Sequence, residues 1–217
     1  MDEVVWEELF PEPTLQRYRI YKEVYTNFDA SLISSEERAK LDEIGENKTE
    51  FTYGEVMYQT FLPLLKLCQP KQGEVFWDIG CGGAKPLAIA ALEFPELGQC
   101  KGVEYLPGLC EQTKQNMVTL KTLADSSGLA SCCVSIVEGD ILTTAWWDDA
   151  DIVYSSSVCF PDFLNDGIAE LSRRLKTGAR LISLQPFNSE TPWLEVLWTV
   201  KIKMTWGLHP ATIYLKL

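Results

Sequence analysis

The chain is 217 residues long, 46% hydrophobic, and carries a formal charge of −12, enough apolar material for one buried core and a field that repels phosphate backbones, so unaided DNA or RNA binding is not expected. No apolar run approaches the roughly 18 residues of a membrane span, and the first ten residues, MDEVVWEELF, are acidic where a secretory leader is basic, so a soluble intracellular protein is expected. Seven scattered cysteines and a single histidine, His209, disfavour a disulfide frame, a zinc site and His-based nucleophilic catalysis.

Along the chain, residues 1–50 read as a helical extension, with SSEERAKLDEI resembling a helix capped by Ser34 or Ser35 and acidic in its first turn. The segment 55–68 has helical apolar spacing interrupted by Pro63. From there strands (75–78, 101–104, 134–140, 151–157, 180–187) alternate with helices (85–94, 109–124, 170–178), which predicts a doubly wound parallel α/β sheet over residues 51–217. Two runs rich in β-branched and aromatic residues, 200–207 and 211–217, predict a hairpin at the sheet edge, turning around Leu208, His209 and Pro210.

The stretch FWDIGCGGAK (76–85) is where chemistry concentrates: a strand, an acid and then three glycines within four positions. Ligands of open parallel sheets bind beyond the carboxyl ends of the strands, and glycines there let backbone approach where a Cβ would collide. Asp78 discriminates among ligands, because a carboxylate against a diphosphate costs several kcal/mol at low effective dielectric. It suits a ligand bearing an ammonium and a sulfonium, as S-adenosylmethionine does. The next strand ends in Glu104, suited to two ribose hydroxyls, and the third leads into Asp140, suited to an adenine amino group.

The order DIGCGGA, GVE, EGD, with a returning hairpin, is similar to the class I S-adenosylmethionine-dependent methyltransferases, whose Rossmann-like sheet has six parallel strands and one antiparallel. Within them, TYGE (52–55), VFWDIGCGGAK, KGVEYLP, EGDIL, the block CFPDFLNDGIAELSRRLKTGARLISLQPF and KMTWGLHPATIYL resemble the disruptor of telomeric silencing (Dot1-like) histone lysine methyltransferases. The resemblance implies a nuclear enzyme whose substrate is histone H3 or another basic protein. It implies that Tyr53 and Glu55 lie over the cofactor, that Gly80, Cys81 and Gly82 form its floor, and that Lys85 begins the next helix. Glu104 would hold ribose, Asp140 and Ile141 adenine; Ser156, Ser157 and Phe160 would face the incoming lysine, with Tyr214 opposite.

The chain departs from the family pattern in three places: Ser155-Ser156-Ser157 replaces paired asparagines, Ala84 stands near the third loop glycine, and no basic run resembles the one that holds nucleosomal DNA. Two other readings stay open: a class I methyltransferase for a non-histone protein or small molecule, and a cofactor-binding scaffold that works through a partner.

Overall fold

The computed structural model describes residues 10–43, 54–187 and 190–217. Two helices, α1 (Thr14–Tyr25) and α2 (Ala30–Glu43), precede α3 (Tyr58–Leu67), after which β1 (Val75–Ile79), α4 (Lys85–Glu93), β2 (Gln99–Glu104), α5 (Pro107–Ser126), β3 (Val134–Glu138) and β4 (Ile152–Ser155) alternate. The helix α6 (Asp162–Ser172) leads to β5 (Arg180–Ser183) and the hairpin β6 (Leu194–Met204) and β7 (Gly207–Lys216). The strands form one sheet in the order β3-β2-β1-β4-β5-β7-β6. Strands β1 to β5 pair in parallel, while β7 lies antiparallel between β5 and β6. This is the expected sheet of six parallel strands and one antiparallel strand. The boundary expected near residue 50 lies outside the described residues. No helix among the described residues is long and apolar enough to cross a membrane.

The alternation of side chains along each strand divides the core in two. Phe76, Ile152, Tyr154 and Ile182 face α1, α3, α4 and α5, whereas Trp77, Ile79, Val153 and Leu181 face α6 and the Trp146–Trp147 turn. The short α4 is buried along almost its whole length, and its alanines let it lie close against the strands. The preceding helices belong to the same core: Tyr18, Tyr21 and Val24 of α1 pack with Tyr58, and Thr14, Arg17 and Tyr58 all donate to Glu93 at the end of α4.

Several boundaries differ from the sequence reading. Pro63 does not interrupt α3, because it sits on the solvent face, where water can satisfy the carbonyl its ring leaves unpaired. Asp29, rather than a serine, caps α2: its Oδ1 accepts from the Leu32 amide at 2.9 Å, one turn before the expected start. The helix expected at 170–178 is α6, displaced toward the N-terminus. It starts after Pro161 and runs through Gly167, where a Cβ would come within 2.5 Å of Leu142. The hairpin turns at Thr205-Trp206, closed by Gly207 at φ +147. His209 and Pro210 lie within β7, at positions β5 does not reach, since the β5 pairing extends only to Thr212.

Arg180, the first residue of β5, is 8% exposed and joins three segments. Its Nε donates to the Cys68 carbonyl at 2.9 Å, and its two terminal nitrogens grip Glu74 at 2.9 and 2.5 Å. Burial alone would raise the Glu74 carboxyl, but the Arg180 fork overrides it and holds the pKa below the usual range. Removing the arginine leaves a partly buried carboxylate without its cation, though the Lys71 amide still donates to it at 2.9 Å, so Arg180→Ala is expected to cost about 3 kcal/mol in urea unfolding, and Arg180→Lys, which keeps charge without the fork, to recover only part. A loss below about 1 kcal/mol for Arg180→Ala contradicts this.

Candidate active site

The carboxyl ends of β1, β2 and β4 open onto a cleft of about 160 Å³. Its lining brings together Glu55, Asp78, Gly80, Cys81, Gly82, Lys85, Glu104, Asp140, Ile141, Ser156 and Phe160, all singled out from the sequence. Tyr53 lies outside the described residues. Ser157 and Tyr214 are not among the lining residues. Ser157 is fully buried, with its Oγ 3.0 Å from Ser183 Oγ and accepting from the Gln185 amide at 3.0 Å. Tyr214 packs against Phe187 at 5.1 Å between ring centroids, on the α6 side of the sheet.

The loop after β1 is shaped by its backbone. Gly80 and Gly82 have φ of +76 and +51, and Ala84 takes a left-handed conformation at φ 57, so an alanine here adopts the geometry that glycine adopts freely. Phe160 closes over the floor, 3.2 Å from where a Cβ on Gly80 would stand. Gly102, opposite Asp78 on β2, leaves room for Cys81, whose sulfur would lie 2.8 Å from a Cβ there. Burial, then Asp78 and Glu104, push the Cys81 thiol well above its usual range, which keeps it protonated and argues against a nucleophile.

Asp78 is 1% exposed, and neither carboxylate oxygen has a hydrogen-bond partner. Burial, with Glu104 nearby adding repulsion, raises its pKa well above the ordinary aspartate value. Glu104 is treated differently by the fold. Its Oε2 accepts from the Gly82 amide at 2.8 Å and its Oε1 from the Leu106 amide at 3.0 Å. Burial raises its pKa, and the amides of Leu106, Gly82 and Tyr105 pull it back. The carboxylate keeps acceptor capacity for a ligand hydroxyl. Asp140 Oδ1 accepts from the Leu142 amide at 2.7 Å, leaving the other oxygen as an acceptor. Above the loop, Lys85 Nζ lies 2.5 Å from Glu55 Oε2 and 5.2 Å from the centre of the Tyr25 ring.

Sequence reasoning missed the part of the lining supplied by α2, by strand interiors and by the rim. Ser34 of α2 is 1% exposed and lines the cleft. Its helix rests on Leu106 and Leu109 through Ala30, and Glu37 accepts from the Gly108 amide at 3.0 Å at the start of α5. Lys40, then that amide, lower the Glu37 pKa, consistent with a carboxylate at a helix N-terminus. Tyr105 and Phe163, 40% and 58% exposed, stand at the rim, and Tyr154 forms part of the wall. Tyr105 adjoins Glu104 and was in reach of the motif; no local signal marked Ser34 or Phe163.

A family model described as histone methylation protein DOT1 matches residues 32–197. The chain belongs to the DOT1 family. Among curated relatives, the H3 lysine-79 specific histone-lysine N-methyltransferase of Aspergillus fumigatus is 28% identical over 148 residues, covering 65% of this chain and 29% of the relative. The Gibberella zeae protein of the same name is 28% identical over 151 residues, covering 67% and 30%. The chain thus spans under a third of the length of these relatives. Among solved structures, the rRNA methyltransferase aviRa of Streptomyces viridochromogenes overlays with TM-score 0.55 at 14% identity, covering 74% of this chain and 85% of that one. A precorrin-6y C5,15-methyltransferase from Geobacter metallireducens gives 0.51 at 18% identity, covering 72% and 87%. Both show the class I methyltransferase fold, with the DOT1 match carried by sequence.

The buried carboxylate makes a checkable statement about this DOT1-family domain. An acid whose folded pKa is raised stabilises the fold fully below its unfolded value, about 4, and loses that contribution as pH rises through the folded value. Asp78→Asn removes the dependence. The variant without ligand is therefore expected to melt above the wild type, by roughly 2–4 °C for each kcal/mol relieved, with a gap that widens as pH rises. A variant that melts below the wild type at every pH contradicts the assignment.

Proposed function

We propose that the chain is an S-adenosylmethionine-dependent protein-lysine N-methyltransferase acting on a histone, most plainly a core lysine of histone H3. The observation that carries the reading is Asp78, a carboxylate enclosed at the end of β1 with both oxygens unpartnered, in a domain of the DOT1 family. A buried anion without a partner is costly, and a ligand ammonium at that point removes the cost. Glu104, a carboxylate with acceptor capacity remaining, suits ribose hydroxyls; Asp140 and Ile141 suit the base. Among the described residues the lining offers no cluster of cations for a diphosphate, and Lys85 is already paired with Glu55.

The cofactor supplies an electrophilic methyl group on a sulfonium, and the protein's task is alignment and exclusion of water. Lysine, with a pKa near 10.4 in water, must lose its proton before it reacts. Phe160, Phe163 and Leu164 provide an apolar wall beside Ser156, where desolvation lowers that pKa. Tyr214 packs against Phe187 outside this lining. The strong negative charge draws a basic substrate chain toward the cleft. This reading puts the protein in the nucleus.

Incubation with labelled cofactor and either core histones or nucleosomes is expected to label a lysine that mass spectrometry locates in H3. Glu104→Gln, which loses charge at a site of two ligand hydrogen bonds, is expected to weaken cofactor binding by about 10- to 100-fold. Transfer to small acceptors alone, with histones and nucleosomes unlabelled, defeats the proposal.

A further inference from the structure

Tyr154 is one polar group in the cleft that neither the motif nor the reading above employs. It is the third residue of β4, directly beside Asp78 in the β1–β4 register, and its side chain lies on the same face of the sheet. It lines the cleft and is 1% exposed, yet its hydroxyl has no hydrogen-bond partner. The ring itself is fixed by an edge-to-face contact with Phe61, at 4.9 Å between centroids and 75° between planes. Packing therefore accounts for the ring and leaves the hydroxyl unexplained, since a phenylalanine would satisfy the apolar contact without burying an unpaired oxygen. Burial and then the Asp78 carboxylate raise the phenol pKa and outweigh the neighbouring Ser156 side chain, which lowers it, so the group stays neutral; with Ser156 outside hydrogen-bond distance, its oxygen remains an acceptor.

The three buried atoms without partners at this point, both oxygens of Asp78 and the phenol oxygen of Tyr154, are all acceptors toward a cation. An ammonium has three N–H donors. We propose that Tyr154 is a positioning residue that, with Asp78, completes a three-acceptor seat for the ligand's α-ammonium, so that recognition of the amino-acid end is shared between β1 and β4. The inference rests on the cofactor reading above. It differs from that reading in assigning the third hydrogen bond to a strand residue that carries no motif. It also gives a physical reason for tyrosine here, since its oxygen reaches a position that Asp78 alone leaves without an acceptor.

The test compares ligands that differ only at that end, with Tyr154→Phe, which preserves the ring and its contact with Phe61. Calorimetry with S-adenosylmethionine, its decarboxylated analogue and 5′-methylthioadenosine is run on the wild type, Tyr154→Phe, Asp78→Asn and the double variant. Tyr154→Phe is expected to weaken the first two ligands by about 5- to 30-fold, the loss of one hydrogen bond to a charged group, and to leave 5′-methylthioadenosine, which has no ammonium, unchanged. In the double variant the two losses are expected not to add, because both groups serve one cation. Equal weakening of all three ligands, no weakening, or loss confined to the ligand that retains its carboxylate overturns the assignment. Failure of wild type to bind any of the three instead defeats the cofactor reading.

Discussion

An isolated carboxylate inside a protein is held there by the folding energy of everything around it, and in this chain that carboxylate is Asp78. Its neighbours on either strand are Gly102, which has no side chain to offer, and Tyr154, whose hydroxyl is equally unpartnered. The fold spends its hydrogen bonds elsewhere. The backbone amides of Gly82, Leu106 and Tyr105 act on Glu104 and that of Leu142 on Asp140, while Asp78 receives none. The result is a cleft with a graded set of carboxyl groups: one held by amides, one half-exposed, and one without a partner. A buried carboxyl group without a partner costs stability, and a ligand cation at that point would offset the cost.

The scaffold makes the arrangement rigid. Parallel pairing of β1 with β2 and β4 sets the acids of the strand tips at fixed spacing, and the left-handed backbone at Gly80, Gly82 and Ala84 turns the chain back beneath a ligand without placing bulk in its way. The helices before the sheet take part as well. Residue Tyr25 donates to the Gly83 carbonyl at 2.9 Å, Glu37 meets the first turn of α5, and Ser34 enters the lining. These contacts bind α1 and α2 to the loop and helix that border the cleft, so the extension belongs physically to it. Opening that side of the site means breaking a charged cap and uncovering Leu106 and Leu109.

The sheet order and most of the acids were legible in the sequence because each leaves a local trace. An aspartate before a glycine cluster, or a glutamate closing an apolar strand, is a pattern within four or five residues. Tyr154 was not legible, since an aromatic in a buried strand looks like core until its hydroxyl is seen without a partner. Ser34 and Phe163 reach the cleft through tertiary packing, which no window of sequence records. The hairpin turn was misplaced because Pro210 reads as a breaker, whereas the structure puts it where a strand has only one neighbour. Ser157 looked equivalent to Ser156, but the 3₁₀ turn that follows β4 sends one toward the cleft and the other into hydrogen bonds with β5. Tyr214 faced a choice between the two sides of the sheet, and pairing with Leu181 fixes it on the side of α6.

The central claim is that a cation from the ligand neutralises Asp78. Its most direct measurement is the proton balance of S-adenosylmethionine binding, obtained by calorimetry in buffers of different ionisation enthalpy across the range in which Asp78 titrates. Because the ammonium favours the carboxylate form, binding is predicted to release protons from the wild type, and Asp78→Asn is predicted to lose most of that release. Binding with no proton exchange, or with the same exchange in both proteins, would contradict the account.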